Sequence, residues 1–262
     1  MSLGPIGIFD SGIGGTSIWR EINRLLPNES TIYLSDSKNA PYGEKSKEEI
    51  LRLSIKNTEF LINKGCKLIV VACNTATTNA IKELRDNFDL PFIGIEPAIK
   101  TAALNSKTKR VGVLATKGTL SSSLFHSTSM SHASGIQIME QRGTGLVELI
   151  ENGELNSPKT KALLERYLSH MVNQGIDQLV LGCTHYPYLI PLLKDILPDN
   201  VKIIDSGDGV ARQTKYILEK YNLIDPSVSK ADFQFFTNKD VKVLDSFVKD
   251  ARVPYKVSFL DF

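Results

Sequence analysis

The chain has 262 residues, 42% hydrophobic and 23% charged, with a net charge of +2 at pH 7. That length suits one large domain or two small ones with a real core, and so small a charge argues against direct nucleic-acid binding. No apolar run reaches membrane-spanning length, no basic flank and apolar run opens the chain as a secretory leader would, and three cysteines are too few and odd in number for a disulfide framework. These features point to reducing cytosol.

In chain order, short apolar runs rich in β-branched residues predict buried strands at 6–9, 31–34, 68–72, 92–95, 111–115, 136–139, 179–182 and 202–204. Apolar residues at spacings of three and four predict helices over 46–64, 76–88 and 158–174. The alternation predicts an α/β fold with mainly parallel sheets. Beyond residue 207, a helix at about 208–221 and a strand at 233–237 are too little for a third domain and should return to the first half. The cluster Lys107–Arg110 reads as a solvated loop.

The chain also repeats itself. Residues 63–75 lie over 173–185 at an offset of 110, matching Asn63 with Asn173, Gly65 with Gly175, Val70 with Val180 and Cys73 with Cys183; residues 6–12 lie over 111–117 at an offset of 105. This predicts two similar α/β domains related by a pseudo-two-fold axis. The first would be 1–97 joined by the returning segment 208–262, the second 98–207, with the active site in the cleft between them.

In open parallel sheets, ligands bind beyond the carboxyl ends of the strands. Cys73 and Cys183 each end a predicted strand and should each precede a helix, a placement that lowers a thiol pKa. If the halves face each other, the two sulfurs enter one cleft from opposite sides. A base on one face of an acidic carbon and an acid on the other is what inverting a stereocentre requires. Either cysteine alone could be mere packing, and Cys66, which has no repeat partner, is read as structural. Metal spacing is lacking around either residue. A Cys–His hydrolase stays open because His185 follows Cys183 closely, although an i, i+2 pair need not face each other.

The other strand ends are polar. Asp10 and Ser11 lead into a glycine-rich turn that is neither a dinucleotide nor a P-loop signature, and Asp10 could cap a helix or bind an ammonium group. Pro41, Tyr42 and Gly43 form a shaped turn; Thr116 and Thr119 follow the fifth strand; Asn74, Thr75, Thr184 and His185 flank the cysteines. Short donors with few fixed charges suit a small zwitterion.

The segments 7–15 (GIFDSGIGG), 41–43 (PYG), 72–77 (ACNTAT), 182–187 (GCTHYP) and 204–211 (IDSGDGVA) together resemble the glutamate racemase family of the aspartate/glutamate racemase superfamily. The resemblance implies interconversion of L- and D-glutamate without cofactor or metal, supplying D-glutamate for peptidoglycan. It assigns proton abstraction from the D-isomer to Cys73 and from the L-isomer to Cys183, with Asp10 and His185 assisting. It further implies substrate contacts at Asp10, Ser11, Tyr42, Gly43, Asn74, Thr75, Thr116, Thr119, Thr184 and His185, and an assisting acid at Glu151. It suggests a cytoplasmic homodimer; a gyrase interaction occurs in some members, but nothing in this sequence supports it. One departure is visible: many members carry Cys-Pro where residues 142–151 read RGTGLVELIE. The alternatives to weigh are a racemase for aspartate or another amino acid and a two-lobed amino-acid-binding or regulatory protein.

Overall fold

The computed structural model describes residues 3–132, 135–226, 231–251 and 253–262; the ends of the expected division at residues 1 and 2, and parts of its returning segment at 227–230 and 252, lie outside the described residues. The strands are β1 (Ile6–Asp10), β2 (Thr31–Ser35), β3 (Leu68–Val71), β4 (Phe92–Gly94), β5 (Arg110–Ala115), β6 (Gln137–Arg142), β7 (Gln178–Gly182), β8 (Lys202–Ile204), β9 (Phe233–Thr237) and β10 (Lys256–Phe259). They form two sheets, ordered β10-β9-β2-β1-β3-β4 and β6-β5-β7-β8. Every pairing is parallel. The molecule is therefore a two-domain α/β protein.

The central strands are apolar throughout because each sheet is covered on both faces. In β1 and β3, Ile6, Ile8, Leu68 and Val70 face one core, while Phe9, Ile69 and Val71 face another. In β5 and β7, Leu114, Leu179 and Leu181 join the same core as Ile8, while Val113 and Val180 turn to a third cluster. One apolar core thus runs between the two sheets and holds their inner faces together.

The internal repeat appears as register. Ile6 pairs with Leu68 in the first sheet and Val111 with Gln178 in the second, each position displaced by the sequence offset of its own segment. The order β2-β1-β3-β4 corresponds to β6-β5-β7-β8. The repeated glycines have a physical reason: Gly65 and Gly175 both take φ 76° in the turns that lead into β3 and β7, a left-handed conformation that strains other residues.

The C-terminal part extends the first sheet, with β9 pairing to β2 and β10 to β9. The helix Gly207–Lys220 packs against Thr16–Leu25. The helix Val241–Val248 and β10 have no counterpart among the predicted elements. β10 is a four-residue edge strand that is only half-buried, so it carries little apolar periodicity. β6 begins one residue later than predicted and continues to Arg142.

Candidate active site

Because all strands run parallel, Asp10, Cys73, Thr116 and Cys183 emerge on the carboxyl edges of β1, β3, β5 and β7. β1 lies between β2 and β3, and β5 between β6 and β7, so each sheet changes its direction of winding at the central strand. Such a switch point opens a crevice.

Cys73 caps the helix Asn74–Asn87; its sulfur accepts the Ala76 N–H at 3.4 Å and donates to the Ser11 hydroxyl at 3.6 Å. The N–H of Ala76 at the helix N-terminus does work to lower this thiol's pKa, as expected, but it is outweighed. Burial, reinforced by the charge of Asp10, pushes the Cys73 thiol well above its ordinary value. The matching expectation for Cys183 is corrected in geometry: a 3₁₀ turn, Tyr186–Leu189, precedes the helix Ile190–Ile196, so no α-helix starts at the cysteine. Instead His185 turns back, placing Nδ1 3.7 Å from the Cys183 sulfur. The i, i+2 pair does face itself.

His185 Nε2 lies 2.6 Å from Glu151 Oε1. Burial works against charge on the imidazole, but the bonds to Cys183 and Glu151 outweigh it and hold the His185 pKa well above its ordinary value. Burial likewise opposes charge on Glu151, yet donors from His185, the Ile13 N–H and Ser37 pull its carboxyl below the usual range. The turn after β1 must come very close: a side chain at Gly14 would collide with the His185 ring, and one at Gly12 with the Glu151 carboxylate. This close approach explains Gly12 and Gly14.

Twelve residues line a narrow cavity of about 10 Å³, room for roughly one water, among them Ser11, Tyr42, Cys73, Asn74, Cys183 and Thr184. Gly43, Thr75, Thr116 and His185 also line it, with Pro41 and Val147. Both sulfurs therefore border one space, each delivered by a different sheet. Both amide atoms of Asn74 are buried without a partner, free for a ligand at the usual cost of an unmade bond. Thr75 Oγ1 and Thr116 Oγ1 lie 2.8 Å apart across the cleft.

Three of the expected site residues, two contacts and the assisting acid, stand behind this wall. Thr119 is fully buried and supports Thr116 and Thr75 at 3.1 and 3.4 Å. Asp10 is fully buried, accepts the Gly15 N–H at 2.8 Å and receives the Thr184 hydroxyl at 3.4 Å. Burial raises its pKa, chiefly against the pull of His185 and the Gly15 N–H. Glu151 borders a neighbouring cavity with Pro41, Asn152 and Lys239. The sequence reading missed Asp36, Ser37, Asn57 and Asn238. Asp36 accepts from Tyr42 at 2.5 Å and Asn238 at 2.5 Å, and Asn57 donates to the Tyr42 hydroxyl at 3.2 Å. The polar run after β2 could have signalled Asp36 and Ser37, but nothing nearby signals Asn57 or Asn238. Among the described residues, no group of three or more His, Cys, Asp or Glu side chains is placed to hold a metal ion.

The family model Asp/Glu/Hydantoin racemase matches residues 6–214, a span containing both central strands and both cleft cysteines. The fold and the site thus define a racemase of this class. Glutamate racemase from Herpetosiphon aurantiacus is 45% identical over 236 residues, covering 90% of this chain and 93% of the relative. The crystal structure of glutamate racemase RacE1 from Bacillus anthracis superposes with a TM-score of 0.89 at 29% identity, covering 100% of this chain and 99% of that one. The Escherichia coli glutamate racemase, solved with L-glutamate and the activator UDP-MurNAc-ala, gives 0.86 at 34% identity over 98% of both chains. The chain belongs to the glutamate racemase family of isomerases.

Proposed function

We propose that the protein interconverts L- and D-glutamate by two-base proton transfer between Cys73 and Cys183. One observation carries this reading: the two sulfurs come from equivalent strand ends of the two sheets and line the same narrow cavity. In the L-to-D direction the Cys183 sulfur takes the α-proton while the Cys73 thiol delivers its own to the opposite face. One C–H and one S–H bond break, and one of each forms. Cys73, pushed toward its protonated form, is suited to the acid role in that direction. Each positioned acid or base contributes about 10²–10⁴-fold.

His185 stands beside Cys183 to receive or return the proton, with Glu151 behind it; Asp10 supports Ser11 and Thr184 from behind the wall. Asn74, Ser11, Thr75, Thr116, Thr184, Tyr42 and Gly43 hold the amino acid. The narrow cavity leaves little room for water beside a carbanion-like transition state. The chemistry requires no cofactor. The reading extends to a division at 1–97 with 208–262 and 98–207, and to a cytoplasmic homodimer supplying D-glutamate for peptidoglycan. Among the described residues no helix is long and apolar enough to cross a membrane.

The test follows ellipticity with each enantiomer of glutamate and of aspartate, without added cofactor. The parent should racemise glutamate faster, and Cys73→Ser and Cys183→Ser should each lose at least about 10²-fold in rate while melting normally. Racemisation at the parental rate by either variant, or a preference for aspartate, contradicts the reading.

A further inference from the structure

Glu151 ends the helix Leu146–Glu151, which packs on the second domain's helix Pro158–Asn173 and on the turn Tyr186–Leu189. Two of the three donors to its carboxylate nevertheless come from loops of the first sheet. Oε1 accepts the Ile13 N–H at 2.7 Å beside His185 Nε2 at 2.6 Å; Oε2 accepts the Ser37 hydroxyl at 2.9 Å. Ser37 follows β2 and is itself held 3.0 Å from the Ser35 hydroxyl. Ser37 and Glu151 are both buried, so water is a poor substitute for either partner. Any separation of the two sheets at this point removes both first-sheet donors from Glu151 while leaving the His185 contact, which lies within the second domain.

We propose that Ser37 is a positioning residue that couples the apposition of the two sheets to proton transfer at Cys183, by completing the hydrogen-bond shell of Glu151 and so fixing His185. The proposal rests on the two-cysteine reading above. Glu151 is faced by His185, whose other ring nitrogen meets Cys183, by Asp10 and Tyr33 from β1 and β2, and by Glu148 and Lys239 around the adjoining cavity. Ser37 is the neutral donor that adjusts Glu151 without adding a charge to this set. A hydroxyl donating to a carboxylate favours its charged form. Its loss should move the acid limb of the pH profile upward.

The test is Ser37→Ala in the full-length protein, with Ser37→Thr as the conservative variant. The alanine variant should lose about tenfold or more in kcat with KM little changed, and the acid limb of kcat/KM should rise by up to about one pH unit; threonine should restore both. In a Glu151→Gln background, Ser37→Ala should have no further effect on the acid limb, and this cycle decides the matter if the threonine side chain does not fit. Unchanged kcat and pH profile in Ser37→Ala, or an additive effect in the double variant, overturns the proposal. Failure of the underlying reading would show separately, as absence of α-proton exchange by the parent enzyme.

Discussion

At the residue scale, the site joins groups whose preferences conflict. Asp10 is wholly buried, and burial raises its pKa. A carboxyl whose pKa rises on folding costs stability as pH climbs above its ordinary value of 3.8. Asp10→Asn should therefore raise the melting temperature at pH 7 to 8 by more than at pH 4, while lowering racemisation. Calorimetry at both pH values checks this, and an equal or negative shift at neutral pH would count against it. The two catalytic candidates were legible because the repeat matches Cys73 to Cys183. Asp36 and Ser37 were not, because their importance comes from partners more than a hundred residues away, Asn238 and Glu151. Likewise, nothing in the sequence showed that the helix after Cys183 starts late, leaving room for His185 to fold back.

At the element scale, the turn Tyr42–Glu44 meets the end of β6 across the mouth of the cleft. Arg142 reaches Glu44 at 2.6 and 2.7 Å, and beneath them Gly43 is pressed against Thr116 so closely that a Cβ would lie 2.8 Å from the Thr116 side chain. The Pro-Tyr-Gly turn is thus tied through Glu44 to Arg142, in the segment that departs from the common Cys-Pro pattern. Both side chains are more than a third exposed, and such pairs contribute about 0.2–1 kcal/mol in solution. Arg142→Glu or Glu44→Arg should raise KM for both enantiomers by several-fold, and the charge-swapped double variant should recover most of the loss. Steady-state kinetics at low salt reads this; a double variant as poor as the singles would contradict a latch. The central strands and long helices were readable from periodicity, whereas β10 and Val241–Val248 were not, since a short edge strand gains its stability from pairing with β9 rather than from its own pattern.

At the scale of the whole molecule, two domains whose four repeated strands share one order also share one apolar core, and ionisable groups cross their interface. The Glu151 carboxyl is held below its ordinary value of 4.5, so its contribution to stability is present above that value and lost as pH falls through the folded one. The His185 imidazole is held above 6.5, so its contribution is complete below 6.5 and lost as pH rises through the folded value. Urea unfolding across pH should show both slopes, and Glu151→Gln should flatten the acidic one and weaken the alkaline one. Unchanged slopes would mean that the pair is not coupled to folding. The duplicated architecture itself was visible in the sequence as the two offsets, because strand register preserves them. The closeness of the seam was not, since it depends on which loops meet.

The measurement that bears most directly on the paired sulfurs is proton NMR of each glutamate enantiomer with the enzyme in D₂O. Early in the reaction, deuterium should enter Cα only in the product enantiomer, from either starting isomer, because the group that removes the proton is not the one that replaces it. Equal early labelling of the starting enantiomer would mean that a single base serves both faces, and the account of two opposed thiols would fail.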